Sequence, residues 1–231
     1  MLAYHSNPKI KAKYLNRVRS HAKAGEIIKG KYWEDGKGCA IGCTIHSNKH
    51  SAYEIELGIP QVLAKLEDGI FEGLPLKQAK EWPGKFLKAI KPGTDLSKVS
   101  SKFLVWLLEE VIKCIEDEGK ETINLVIDLY KRELRGEVIA LVQWKEAKSA
   151  TLASAAVADA AAAYAAHYAA EAAVAAAVYA NATYYAAAYT ATAAAYAADA
   201  NNARKTAREA NRIKQAEKLL GLLKECGVNN L

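Results

Sequence analysis

The sequence is short of the features that would name a chemistry at once. Four cysteines in 231 residues (Cys39, Cys43, Cys114 and Cys226) are too few for a disulfide scaffold, so a reducing cytoplasm is the expected setting. No apolar run approaches the ~20 residues that span a bilayer, so no membrane partner is expected. The N-terminal stretch MLAYHSNPKIKAKYLNR has no continuous apolar core, and a secretory signal is not expected either. Alternating apolar–polar strand patterns are missing. So are the Walker spacing G-x-x-x-x-G-K-[ST] and any recognisable nucleic-acid reader motif, and nucleotide hydrolysis is not implied. No cofactor is expected.

What is present is helical patterning and an uneven charge. Residues 1–50 carry ten Lys/Arg against three acids, residues 151–200 carry three acids and no Lys/Arg, and residues 201–231 carry seven Lys/Arg against three acids. A basic first segment and tail suit an anionic partner such as a nucleotide or nucleic acid, although a solvated lysine-rich surface has the same composition. Ile10, Tyr14, Val18 and His21 fall on one stripe of a helix ending near Gly25 or Gly30. Pro60 opens a second helix with Leu63, Leu66 and Ile70 inward, stopped by Gly73 and Pro75. Thr94 or Asp95 caps a third, with Phe103, Trp106, Leu107, Val111 and Cys114 inward. Gly119 ends that helix, and Ile123, Ile127, Tyr130 and Leu134 mark a fourth.

From Ala150 to Ala200, 30 of 51 residues are alanine, a strongly helix-forming composition. An unbroken helix from Glu137 to Cys226 would reach about 135 Å, against about 45 Å across for a compact chain of this length. Breaks are therefore expected near Asn181 and Thr183 and near Asn201 and Asn202. Tyr164, Tyr168, Tyr185, Tyr189 and Tyr196 fall on two positions of one heptad frame. They suit a helix–helix seam, or a groove of ring faces in which bases stack, with His167 and Glu171 between them. The expected fold is all-α: a helical bundle with long Ala/Tyr-rich C-terminal helices. The expected division is a helical domain over 1–135 and an Ala-rich region with a basic tail over 136–231.

The segment GKGCAIGCTIHSNKH concentrates the chemistry-bearing side chains. Cys39, Cys43, His46 and His50 lie at spacings of 4, 3 and 4, on one face of a continuous helix. They would span about 16 Å along its axis, whereas zinc ligands lie within about 2.3 Å of one ion, so a metal site there needs the chain to turn at Ser47 and Asn48. A thiol nucleophile at Cys39 with His46 or His50 as base is a second reading. The third is an anion cradle, in which Gly36, Lys37 and Gly38 lead into a helix and present amides to phosphate, with Tyr32 and Trp33 close by to stack on a base. A glycine turn between core helices, with Cys39, Ile41, Cys43 and Ile45 filling the interior, uses the same residues.

The segment YWEDGKGCAIGCTIHSNKHSAYEIELGIPQVLAKLEDGIFEGLP, followed by WPGKFLKAI and an Ala/Tyr tail, resembles a group of bacterial and phage-borne proteins that has no assigned activity. The likeness covers most of the first 110 residues. It implies a mobile-element setting, in which small proteins block a host defence by binding its protein or its nucleotide messenger. The expectation is a non-enzymatic binding protein that sequesters an anionic, nucleotide-like ligand through Trp33, Gly36, Lys37, Gly38, His46, Tyr164, His167 and Tyr168. The alternatives are a module docking on a host protein through the Ala/Tyr helices and a Cys/His-dependent enzyme. A homo-oligomer, with Tyr185 and Tyr189 at its interface, is expected because an alanine–tyrosine seam buries little area per residue.

Overall fold

A computed structural model describes residues 1–113, 117–154 and 205–227. The fold is all-α, as the periodicity requires, apart from one two-stranded hairpin. The expected seam through Tyr164, His167, Tyr168, Tyr185 and Tyr189, the breaks near Asn181 and Asn201, and Cys114 lie outside the described residues.

The chain divides into two compact units: Met1–Val99 with Arg212–Leu231, and Ser100–Asn211. This division differs from the expected boundary at 135/136. The C-terminal helix returns to the first unit, where Arg212 lies against the backbone of Gly73 and the Lys91 ammonium donates to Gly227 O at 3.1 Å.

In the first unit, α1 (Pro8–Ala24) begins with an Asn7 side-chain cap on the Lys9 amide and Pro8 at its first position. It ends where Gly25 takes a left-handed conformation at φ 72°, a sequence-legible stop. Ahead of it, Tyr4, His5 and Ser6 all have positive φ. That costly turn is held by the buried Tyr4, whose hydroxyl donates to Leu87 O at 2.7 Å, and by Ala3 N donating to Thr94 O at 2.9 Å. The hairpin follows, β1 (Trp33–Glu34) pairing antiparallel with β2 (Lys37–Gly38). Its two-residue loop is Asp35-Gly36 at φ 49° and 78°, the geometry that matches strand twist.

Four helices complete the wall behind it: α2 (Ala40–Ile45), α3 (Ala52–Leu57), α4 (Gln61–Gly73) and α5 (Leu76–Ala89). Helix α2 is buried along its whole length, with α1 and α4 against it. Leu63, Leu66 and Ile70 of α4 are fully buried as the spacing predicts, and α5 packs Trp82, Phe86 and Leu87 into the same core. In the second unit, α6 (Val99–Ile112) runs on from the first. It is followed by α7 (Asp117–Leu134) and α8 (Leu141–Ser154), whose contact includes the Tyr130 and Trp144 rings 4.8 Å apart. The last described helix is α9 (Lys205–Cys226).

Candidate functional site

The Gly–Cys segment is a hairpin feeding a short buried helix, not a continuous helix. Chain order explains the change. Asp35-Gly36 closes the hairpin, Cys39 is extended at φ −71° and ψ −175°, and His46 ends α2 in the left-handed region at φ 53°. The four spaced Cys and His residues therefore leave one face and enter different surroundings.

The amides expected to cradle an anion are used inside the fold. Gly38 N donates to Glu26 O at 3.1 Å, and Cys39 N donates to Lys31 O at 2.7 Å. The glycines serve close packing instead. A Cβ on Gly38 would sit 2.1 Å from Tyr32 O, and one on Gly42 only 1.4 Å from the same oxygen. Gly36 supplies the positive φ of the hairpin tip, and Lys37 stands opposite Glu34 across the ladder. Helix α2, with six residues, offers no N-terminal anion site.

Cys39 and His50 meet Asp68 of α4. Asp68 Oδ2 lies 3.5 Å from His50 Nε2, and burial followed by the Asp68 charge raises the Cys39 thiol well above its usual range. A thiol held neutral against a carboxylate is poorly prepared as a nucleophile. Cys43 donates to Gly38 O at 3.3 Å, and burial pushes its thiol up to about 11. Both thiols thus behave as small buried groups. Among the described residues no group of three or more His, Cys, Asp or Glu side chains is placed to hold a metal ion.

His46 enters a second cluster that spacing did not announce. Its ring stacks on Trp33, with centroids 4.3 Å apart and planes 13° from parallel. Its Nε2 lies 2.8 Å from His21 Nε2, and His21 Nδ1 lies 2.6 Å from Glu26 Oε2. A carboxylate on Nδ1 fixes that proton, leaving His21 Nε2 to accept and His46 Nε2 to donate. Burial, then the Arg17 charge, lowers the His46 pKa. His21 was legible only as a member of the α1 stripe and Glu26 not at all, since the His46 partner lies 25 residues away from His21.

Outside the Trp33–His46 stack is a cleft of about 470 Å³ lined by Lys31, Tyr32, Trp33, Glu34, Ser47 and Asn48. Its volume falls within the roughly 300–1,000 Å³ of small-molecule sites. Lys31 bonds Glu34 at its rim, an exposed pair. A smaller cavity of about 220 Å³ borders Tyr32, Cys39, Asp68 and Glu72. Of the expected binding residues, Trp33 and His46 are brought together. Gly36 and Lys37 stand at the hairpin end, and the tyrosine set lies outside the described residues. Lys31 and Tyr32 lie just ahead of the hairpin and Ser47 and Asn48 just after α2, and all four line the cleft with Trp33. No family model, curated protein or solved structure matches the chain.

Proposed function

We propose that this chain is a binding protein that captures an anionic, nucleotide-like ligand without turning it over, in the cleft beside Trp33. The observation that supports this reading is the convergence of two neighbouring aromatic side chains, a lysine paired with Glu34, and two small polar side chains on one cleft. Ring faces hold a base by stacking, worth about 1–3 kcal/mol per base. Lys31 then meets the phosphate, since its bond to Glu34 is solvent-exposed and exchanges readily. Ser47 and Asn48 supply hydrogen-bonding groups to the same cleft. In a mobile-element setting such capture depletes a messenger by mass action. The neutral Cys39 thiol fits capture better than covalent chemistry.

Calorimetry against cyclic and linear nucleotides tests it. Wild type should bind at least one member, Trp33→Ala should weaken it about tenfold or more, and Lys31→Ala should weaken it by an amount that shrinks as salt rises. If no nucleotide produces heat, or Trp33→Ala binds as tightly as wild type, the cleft is not the site.

A further inference from the structure

The first 25 residues contain no acid at all, and the first carboxylate is Glu26. Helix α1 carries six cations: Lys9, Lys11, Lys13, Arg17, Arg19 and Lys23. Two of them have structural work. The Lys11 ammonium donates to Lys88 O at 2.9 Å and Ile90 O at 2.7 Å, closing the end of α5, and Arg17 donates to Thr44 O at 2.8 Å. The other four are exposed and, among the described residues, none forms an ion pair. Lys13 donates to the Tyr14 hydroxyl at 3.4 Å and lies 4.8 Å from that ring's centroid, a neutral partner that leaves its charge unpaired.

Helical geometry puts these four on one side. At 100° per residue, Lys9, Lys13, Arg19 and Lys23 fall within an arc of about 120°, spread over about 21 Å of axis. Asn16 shares the arc, and Val18 and Tyr14 face the opposite way into the core. Lys9 stands in the first turn, where the helix dipole disfavours a cation, and no acid there offsets it. Lys88 and Lys91, exposed at the end of α5, crowd Lys11 on another side of α1. Folding alone gains nothing from this arrangement.

We infer that the exposed face of α1 is a nucleic-acid contact that grips the phosphate backbone through Lys9, Lys13, Arg19 and Lys23. The chemistry selects this partner over two others. A bilayer surface is normally engaged by apolar side chains beside the cations, and the exposed face of α1 carries no large apolar residue. A protein partner needs an apolar anchor at the centre of its contact, which this face also lacks. Backbone contact needs neither, and it needs no reader motif because phosphates carry no sequence information. The face is built from residues apart from those lining the Trp33 cleft, so the two proposals stand or fall separately.

The test is fluorescence anisotropy of two unrelated labelled DNA duplexes of about 20 base pairs, titrated with the full chain at about 50 and 200 mM salt. Both duplexes should bind alike. Four phosphate contacts predict a log–log salt slope of about −3 to −4, or roughly a 100-fold loss over that range. Reversing all four charges (K9E, K13E, R19E, K23E) should flatten the slope and weaken binding at low salt at least about tenfold, with an unchanged helical circular dichroism spectrum. Should that variant unfold, Lys9→Gln with Lys23→Gln should still reduce the slope by about 2. Trp33→Ala should bind duplex as wild type does. Failure of wild type to bind duplex at low salt, a slope untouched by these changes, or binding to anionic phosphatidylserine vesicles without binding to duplex would each overturn the inference.

Discussion

The two compact units spend their polar side chains differently. Among the described residues, Thr44, His50, Lys65, Glu67, Asp68, Thr94, Arg212 and Gln215 are buried in the first unit, and Thr151 alone in the second. Among the described residues of the second unit, the ion pairs lie exposed or half-buried, Lys131 with Glu109, and Arg132 with Asp128 and Glu137. Its packing of Ile123, Val126, Ile127 and Tyr130 is what an amphipathic pattern provides unaided. The first unit instead buries two neighbouring carboxylates on α4 and threads a hairpin against a glycine face. Buried polar groups cost stability, and such costs concentrate where a site is built.

The sharpest way to break this contrast is at Gly42. Gly42→Ala places a Cβ against Tyr32 O, and the hairpin must move or α2 must leave. A loss of about 3 kcal/mol or more is expected in chemical denaturation, with the Trp33–His46 stack disrupted. A substitution tolerated within about 0.5 kcal/mol would mean that the hairpin does not approach α2 as described.

Glu67 gives a smaller effect with a definite sign. It is fully buried, accepts a hydrogen bond from the Tyr53 hydroxyl at 2.7 Å, and burial raises its pKa well above the carboxylate range. A carboxyl with a raised folded pKa favours the folded state most below its unfolded value near 4.5. That support is lost as pH climbs towards the folded value. Glu67→Gln keeps an acceptor for Tyr53 and removes the charge. It should therefore melt higher than wild type near neutral pH, by about 1–2 kcal/mol, with the gap closing towards pH about 4. A deficit that does not change with pH would count against a protonated Glu67.

His46 behaves in the opposite sense. A histidine with a lowered folded pKa is held neutral, so its penalty is absent above the unfolded value near 6.5. The penalty grows as pH falls below that value towards the folded pKa. Two protonated imidazoles cannot share the 2.8 Å Nε2 contact, because neither accepts. His46→Gln should flatten stability below pH about 6.5 relative to wild type, read as melting temperature against pH. Equal pH profiles would mean that the fold does not hold His46 neutral.

The smallest changes belong to positions with no such demand. Gly69 lies within α4 with open space where a Cβ would go, so Gly69→Ala should stabilise by about 0.5–1 kcal/mol. Arg132→Ala, on α7, should lower the melting temperature far less than Gly42→Ala does. Thermal melts rank both. If either matched Gly42→Ala in size, the contrast between the units would fail.

Sequence alone determined the helical class and the ends of several helices. Gly25 ends α1, Pro60 precedes α4, and the inward stripes through Tyr14, Val18, Leu63, Leu66, Phe103, Ile123 and Ile127 are buried, whereas α6 starts at Val99 rather than at a Thr94 or Asp95 cap and Gly119 lies inside α7 instead of ending a helix. These are local matters, set by caps, backbone restriction and a 3.6-residue period. Periodicity did not reveal α5, whose middle holds Pro83 and Gly84, nor a hairpin with two residues per strand. Only tertiary structure decided the site. Asp-Gly favours a hairpin turn, but what places Trp33 over His46 is the contact of the Tyr32 carbonyl with Gly38 and Gly42. What separates the four spaced Cys and His residues is the left-handed turn at His46. Those constraints come from chain segments meeting across space: His21 finds His46, and Asp68 finds His50 and Cys39. Spacing along one helix carries no record of such meetings.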